Sequence, residues 1–434
     1  MTLKLNIRKM IIFLMFFIYP IIPRYFGVAK TSVFKLMCAG IVMLAILFYG
    51  IFPLKIKTYK AVAFSIGIWL TVMFLVCTLN GEVSEFLYEV LCYYLPSIIL
   101  IEFLREKKDF IWAIDLIIGA AAITAVLGIV ESFTGFNAFH LLNTMNADIV
   151  LQPLRFGTQR IISFTYQTIS YCSFCMFALG LIFYRCTLCE SNKKKIKFYI
   201  SYIIVLFAAI LTLSRSLLLC ILASQLVLLY ICGYKVFLRK LFLSMVFIGG
   251  IVALLTISFP SVASVLQNLV YMLLAVFNDK YAVALGNVDG TGIGDRADLF
   301  SWVWSSVRGH KWLGVGPVTD FSYTYQAKSG VYYYERTKTS IENQYLNLLY
   351  HYGIIGLATK VLMYIQLVCQ TIKKNVWNGA NWETKLTFPK TMFVIFISYF
   401  VSFWGVHQID EKRIFFCCVT LFLAYCRNKR FSGE

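Results

Sequence analysis

The sequence predicts an all-α polytopic membrane protein, with about twelve transmembrane helices and one large external loop containing short helices. Three observations carry this reading. Of 434 residues, 60% are hydrophobic and only 14% charged, with a mean hydropathy of +0.75, more apolar surface than one soluble core hides. Apolar runs close to the roughly 20 residues that cross a hydrocarbon core about 30 Å thick recur along the chain. The 40 Lys and Arg outnumber the 21 Asp and Glu, a net charge of +19, and sit in short clusters between those runs. A basic domain for nucleic acid would gather them in one region, so the partner implied is the bilayer and no nucleic acid.

The runs lie near 10–22, 33–54, 61–79, 87–103, 110–131, 161–184, 198–213, 217–232, 241–259, 343–371, 391–408 and 414–426; the first, seventh, eighth and last are short. Lys4, Arg8 and Lys9 place the N-terminus in the cytoplasm, and every second connection is then cytoplasmic. Those connections hold Lys55, Lys57 and Lys60; Arg105, Lys107 and Lys108; Arg185 and the 193–197 lysines; Lys235, Arg239 and Lys240; and Lys373 and Lys374. Arg427, Lys429 and Arg430 put the C-terminus on the same side. The other side receives Glu82, Glu85 and two long connections, 132–160 and 260–342, long enough to escape the positive-inside rule. The first run lacks a small-residue cleavage site and reads as a retained span. With no internal repeat or soluble terminal domain, residues 1–434 read as one integral membrane domain.

None of the 13 cysteines falls in the long external connections, which argues against a disulfide framework. The pairs Cys172/Cys175 and Cys186/Cys189 lack companion zinc ligands and read as small apolar residues of a helix. The 260–342 connection is too long for a passive turn. Val262–Phe277 is apolar enough to lie on or dip into the membrane, and Asp295 is placed to cap a helix running to Arg308. Leu299, Phe300, Val303 and Val307 would share one face of that helix.

Ionisable side chains at membrane depth cost on the order of 3 kcal/mol or more and mark functional candidates. Arg215 stands between Ser214 and Ser216 at a tight external corner between two apolar runs. It reads either as a snorkelling turn residue or as a phosphate ligand assisted by helix-end N–H groups. Arg160 ends the first long connection, as an interfacial anchor or a ligand contact. Arg296 opens the external helix, where the dipole disfavours a cation and an anionic partner would relieve it; Arg308 and Lys311 close the helix, where cations are welcome. Glu342 and Asn343, at the mouth of the next span, are placed to deprotonate and position an acceptor hydroxyl, with Tyr345 beside them. His351 reads as a satisfied helix histidine, and Gly353 and Gly356 as points of close backbone approach. Glu89, Asp115 and Lys360 serve either bundle packing or a transport pathway. Tyr323, Tyr325, Tyr332, Tyr333 and Tyr334 offer ring faces for sugars or for the membrane interface.

Taken in order, Arg160-Ile161-Ile162-Ser163-Phe164, Leu213-Ser214-Arg215-Ser216, Gly294-Asp295-Arg296 through Trp302, Leu313-Gly314-Val315-Gly316 and Asn343 with Gly353 and Gly356 resemble one known pattern. It is that of the bacterial O-antigen polymerase and O-antigen ligase superfamily. The likeness spans most of the chain in architecture, with readable motifs over about 200 residues. It implies a fold similar to C-type glycosyltransferases and a metal-independent enzyme of the bacterial cytoplasmic (inner) membrane. Its implied substrates are polyprenyl-pyrophosphate-linked oligosaccharide donor and acceptor on the external face, with a chain-length regulator and a flippase as further partners.

In the resembling ligases a histidine usually precedes the asparagine; here that position is Glu342, which shifts the reading toward polymerase. The catalytic expectation is Glu342, Arg215 and Arg296, with Arg160, Asn343, Arg308, Lys311 and Tyr345 binding substrate. No cofactor is expected; with no Asp-x-Asp and no clustered His/Asp/Glu set, no catalytic metal is expected either. A ligase, or from another class a flippase of the lipid-linked oligosaccharide, is the alternative.

Overall fold

The structure, a computed structural model, describes residues 2–28, 31–49, 59–147, 159–189, 191–233, 271, 281, 293–329, 332–374, 386–407 and 411–428. The expected span at 241–259 lies outside them, as does the apolar run 262–277 apart from residue 271. The other eleven expected spans each overlap a helix. Five helices are long and apolar enough to cross a membrane: Lys60–Leu79, Val83–Phe103, Lys107–Thr134, Thr168–Leu188 and Gln344–Lys373. Val33–Phe48, Arg215–Ile231 and Phe388–Ser402 are shorter apolar helices. Thr2–Phe13, Asn192–Leu211 and Lys412–Arg427 complete a mostly helical, polytopic architecture.

Local chemistry explains the irregularities. Pro96 has no N–H to offer the Cys92 carbonyl one turn back, and a π turn at Val90–Tyr94 marks the spot. The freed carbonyl accepts the Tyr19 hydroxyl at 2.8 Å, tying the first helix to the fourth span. The Lys107–Thr134 helix stops at Gly135, whose φ of 72° is the left-handed conformation glycine adopts without strain.

Buried and half-buried charges are paired across helices. Arg185 grips Asp115 through two hydrogen bonds of 2.6 and 3.0 Å, Lys412 reaches Glu89 at 2.7 Å, and Arg427 reaches Glu102 at 2.8 Å. Glu102 is the buried member of these pairs, so removing Arg427 would strand its charge at a cost of about 3–5 kcal/mol, while the more exposed pairs cost less. Lys360 lies over the Trp69 ring at 4.4 Å and donates to the Tyr94 hydroxyl. Glu89, Asp115 and Lys360 thus all have packing roles, whatever else they do.

The segment 293–342, expected to belong to the large external loop, departs from an all-α expectation. Helix Ile293–Ser306 stands where one was expected, although it begins before Asp295 and ends before Arg308. It is followed by an antiparallel hairpin, Tyr323–Ser329 with Tyr332–Lys338, that was not foreseen. Leu299, Trp302, Val303 and Val307 form a second core with Phe321, Ile341, Leu349 and Tyr350, while Phe300, expected on that face, is exposed. Tyr323 and Tyr325 stack on Trp302, with ring centroids 5.5 and 4.4 Å away. The alternation of in-facing and out-facing residues that a hairpin requires thus uses these two tyrosines for packing.

Candidate functional site

The segment 159–165 is not helical: it runs irregularly across one end of the bundle and turns at Ser163 and Phe164, so the next helix starts at Thr168, later than expected. Three fixings hold it. Ser132 Oγ donates to the Gln159 carbonyl at 2.8 Å. The buried Glu131 carboxylate accepts the backbone N–H groups of Ile162 at 3.2 Å and Ser163 at 2.9 Å. Asn137 donates to the Ser163 carbonyl at 2.8 Å. Ser163 has a φ of 52°, unusual for a residue with a Cβ, and these bonds over-determine that conformation.

Arg160, held in this way, is buried and donates from Nε to the Thr212 carbonyl at 3.1 Å. Thr212 opens the corner that holds Leu213, with a φ of 53°, and then Ser214 and Arg215. The helix Arg215–Ile231 begins there without a side-chain cap: Ser214 occupies the capping position, yet its buried hydroxyl has no hydrogen-bond partner among the described residues. An uncapped helix start, an orphan hydroxyl and two neighbouring arginines form a setting suited to an anion.

Arg160 also lines a cavity of about 230 Å³ with Gln167, Thr168, Ile169, Ser340, Ile341, Glu342, Gly405, Val406 and His407. Two of the expected site residues, Arg160 and Glu342, are therefore brought together, with Arg215 on the corner to which Arg160 is bonded. Glu342 is partly exposed and pairs with Lys338 at 3.2 Å. His407 belongs to the connection after helix Phe388–Ser402, although the apolar run 391–408 predicts it within a span. Burial, with Lys412 and His351 nearby, lowers its pKa to about 3, so the imidazole is neutral at ordinary pH.

The residues after Glu342 fasten the cavity wall. Asn343 Oδ1 accepts from Tyr345 N at 2.9 Å and Leu346 N at 3.1 Å, capping the next helix, and its Nδ2 donates to the Trp404 carbonyl at 3.2 Å. Gln344 N bonds the Phe403 and Val406 carbonyls, and the Tyr345 hydroxyl bonds the Phe400 carbonyl at 2.8 Å. Three consecutive residues thus tie the segment bearing Glu342 to the segment bearing His407.

Gly353 does more than admit a neighbouring helix. Its φ of 67° and ψ of −169° break helix Gln344–Lys374, and a Cβ there would meet the Trp312 backbone at 2.3 Å. Gly314, with a φ of 73°, packs reciprocally on the His351 and Tyr352 backbone. Val315 N and Gly316 N donate to the Tyr350 and His351 carbonyls at 3.0 and 3.1 Å; Ile354 N and Ile355 N donate to the Lys311 and Trp312 carbonyls. His351 is satisfied as expected, its Nδ1 donating to the Gly316 carbonyl at 2.7 Å. The glycines of the 313–316 turn and Gly353 of the following helix are two halves of one joint.

Arg308 and Lys311 are exposed beyond the end of helix Ile293–Ser306 and do not line the cavity; Arg296 lies in that helix's first turn. Among the described residues no cluster of three or more His, Cys, Asp or Glu is arranged to hold a metal. Sequence reasoning missed Glu131, Gln167 and His407. Only Glu131, a carboxylate inside an apolar run, carried a signal that could have revealed it.

Residues 200–360 match the family described as O-Antigen ligase, which supports the O-antigen ligase and polymerase superfamily for this chain. The match includes Arg215, Arg296, the Gly314–Gly316 turn, Asn343 and Gly353, while Arg160 and His407 lie outside it. No curated protein matches the chain.

Proposed function

We propose, from the O-antigen ligase match and the cavity that joins Arg160 to Glu342 beside the Arg215 corner, that the protein is a polymerase of lipid-linked oligosaccharide repeat units. Members of the matched family transfer glycans, and the chain has the apolar helices of a multi-pass membrane enzyme. In this reading the donor is a glycan on a polyprenyl pyrophosphate, the acceptor a sugar hydroxyl of a second lipid-linked unit, and the site faces outward from the bacterial inner membrane. A chain-length regulator and a flippase serve it as partners.

The chemistry follows from the charges. Transfer breaks the bond from the anomeric carbon to the pyrophosphate oxygen, and the electron pair leaves with the pyrophosphate. Arg160 is held against the corner that carries Arg215 before substrate arrives, so its charge meets the growing negative charge with little reorganisation, and Arg215 adds a second guanidinium there. Arg296 is the third cation of this reading, and Arg308 and Lys311, exposed beyond the cavity lining, attract the anionic donor at longer range. Glu342 takes the acceptor proton as the new glycosidic bond forms. Asn343 and Tyr345 act by fixing the wall that carries Glu342.

The single observation that carries the proposal is the cavity shared by a buried guanidinium and a carboxylate. Its test is extension of a synthetic pyrophosphate-linked repeat unit by purified protein in nanodiscs with EDTA present. A ladder of products with the wild type, lost in Arg215→Ala and strongly reduced in Glu342→Gln, is the expected result. A verified cognate unit that is bound but never extended would overturn it. The family description favours a second reading, a ligase, which would move finished glycan to a different acceptor and yield no ladder.

A further inference from the structure

A second cavity, of about 490 Å³, lies where the first helix meets the start of helix Lys107–Thr134, lined by Arg8, Lys9, Glu106, Lys108, Asp109 and Trp112. We propose that it binds the headgroup of an anionic phospholipid, with Lys9 and Lys108 on the phosphate. Asp109 lies 22 positions before Glu131 on one helix, about 33 Å along its axis, so this site is separate from the transfer cavity and independent of the function assigned there.

The local charges account for the choice of an anion. Arg8 is consumed internally: it bonds Asp109, lies 3.8 Å from Glu106, and donates from Nε to the Phe103 carbonyl at 2.9 Å. Asp109 is thereby engaged, and Glu106, mostly exposed, faces the same guanidinium. Lys9 and Lys108 are exposed and close no ion pair among the described residues, which leaves two cations facing the space. Lys108 also sits in the first turn of a helix, where the dipole is positive and a cation is unfavourable; Asp109 of the same turn is engaged by Arg8.

The surroundings identify the anion as a lipid. Trp112 is one turn inward from Lys108 on a helix long and apolar enough to cross a membrane, the depth at which indoles meet headgroups. Beside Lys9 the first helix exposes Met10 and Phe13, an apolar flank along which acyl chains can run. The cavity lies at the end of the bundle where Arg427 and Glu102 pair and Asn428 bonds the Leu104 carbonyl, the end to which the basic connections assign the cytoplasmic leaflet. A free phosphate would satisfy the lysines but gain nothing from the apolar flank.

The test is thermal unfolding of the full chain in a neutral detergent, titrated with phosphatidylglycerol, phosphatidylcholine or inorganic phosphate. Phosphatidylglycerol should raise the midpoint, and the other two should not. A Lys9→Gln/Lys108→Gln double variant, altered only at exposed side chains, should unfold at the wild-type midpoint without lipid and bind phosphatidylglycerol about thirty-fold more weakly, about 1 kcal/mol for each lysine. Lipid retained in native mass spectra gives a second readout if the variant proves less stable. An equal response of wild type and variant, no response of the wild type, or an equal response to inorganic phosphate would each overturn the proposal.

Discussion

Glu131→Gln is the most informative single change, because Glu131 touches no substrate in this account and yet sets the position of Arg160. Its two oxygens accept the N–H groups of Ile162 and Ser163 at 3.2 and 2.9 Å inside a buried pocket. Glutamine keeps one acceptor oxygen and presents an NH₂ group to the other N–H, leaving a buried donor unsatisfied at about 1–3 kcal/mol. The segment can escape that cost by releasing Ser163 from its left-handed conformation, which swings the chain three residues after Arg160 and loosens the 3.1 Å bond to Thr212. If the whole cost falls on the placement of Arg160, transfer slows by about 5- to 150-fold.

The assay is extension of a pyrophosphate-linked repeat unit at limiting and saturating donor, alongside thermal unfolding in the same nanodiscs. The expected loss lies in kcat at saturating donor, with most molecules still folded. A well-folded Glu131→Gln variant with wild-type kcat would refute the claim that this carboxylate positions the arginine.

Asn343→Asp, which keeps the capping acceptor, should retain more activity and stability than Asn343→Ala, which loses about 1 kcal/mol of capping together with the bond to Trp404; equal loss in both would make Asn343 a substrate contact. Gly353→Ala should lower the unfolding midpoint by the equivalent of at least about 1–3 kcal/mol, because alanine does not tolerate this backbone conformation and its Cβ would strike the Trp312 carbonyl; circular dichroism melting checks this. His407 has a folded pKa of about 3, below the ordinary value near 6.5, so between those values the unfolded chain binds the extra proton. Stability should therefore fall as pH drops through this window, and His407→Gln should flatten the fall.

The parts of the fold legible in the sequence are those set by composition over a whole segment. Runs such as 61–79 and 110–131 need only be apolar and long enough, and both are helices with nearly those limits. Arg160, Arg215 and Glu342 stood out because a charge beside an apolar run is costly. His407 did not, because a single neutral ring hides within 391–408, and the helix in fact stops at Ser402. The hairpin 323–338 alternates Tyr323, Tyr325 and Ala327 with polar residues, a visible strand signal that the expectation of short helices and sugar-stacking rings obscured. The joint of Gly314 with Gly353 depends on two backbones 39 positions apart, which local patterning does not relate. Arg308 and Lys311 were grouped with the site by charge alone, and the structure leaves them exposed and outside the cavity lining.

The central claim is that the Arg215 corner stabilises charge on a departing pyrophosphate. The most direct measurement compares extension rates for one glycan on polyprenyl pyrophosphate and on polyprenyl monophosphate, in wild type and Arg215→Ala. The account predicts that the wild type strongly prefers the pyrophosphate donor and that the variant loses most of that preference along with its rate. A variant that is slower by the same factor on both donors, with the preference intact, would contradict it and leave Arg215 a structural residue of the corner.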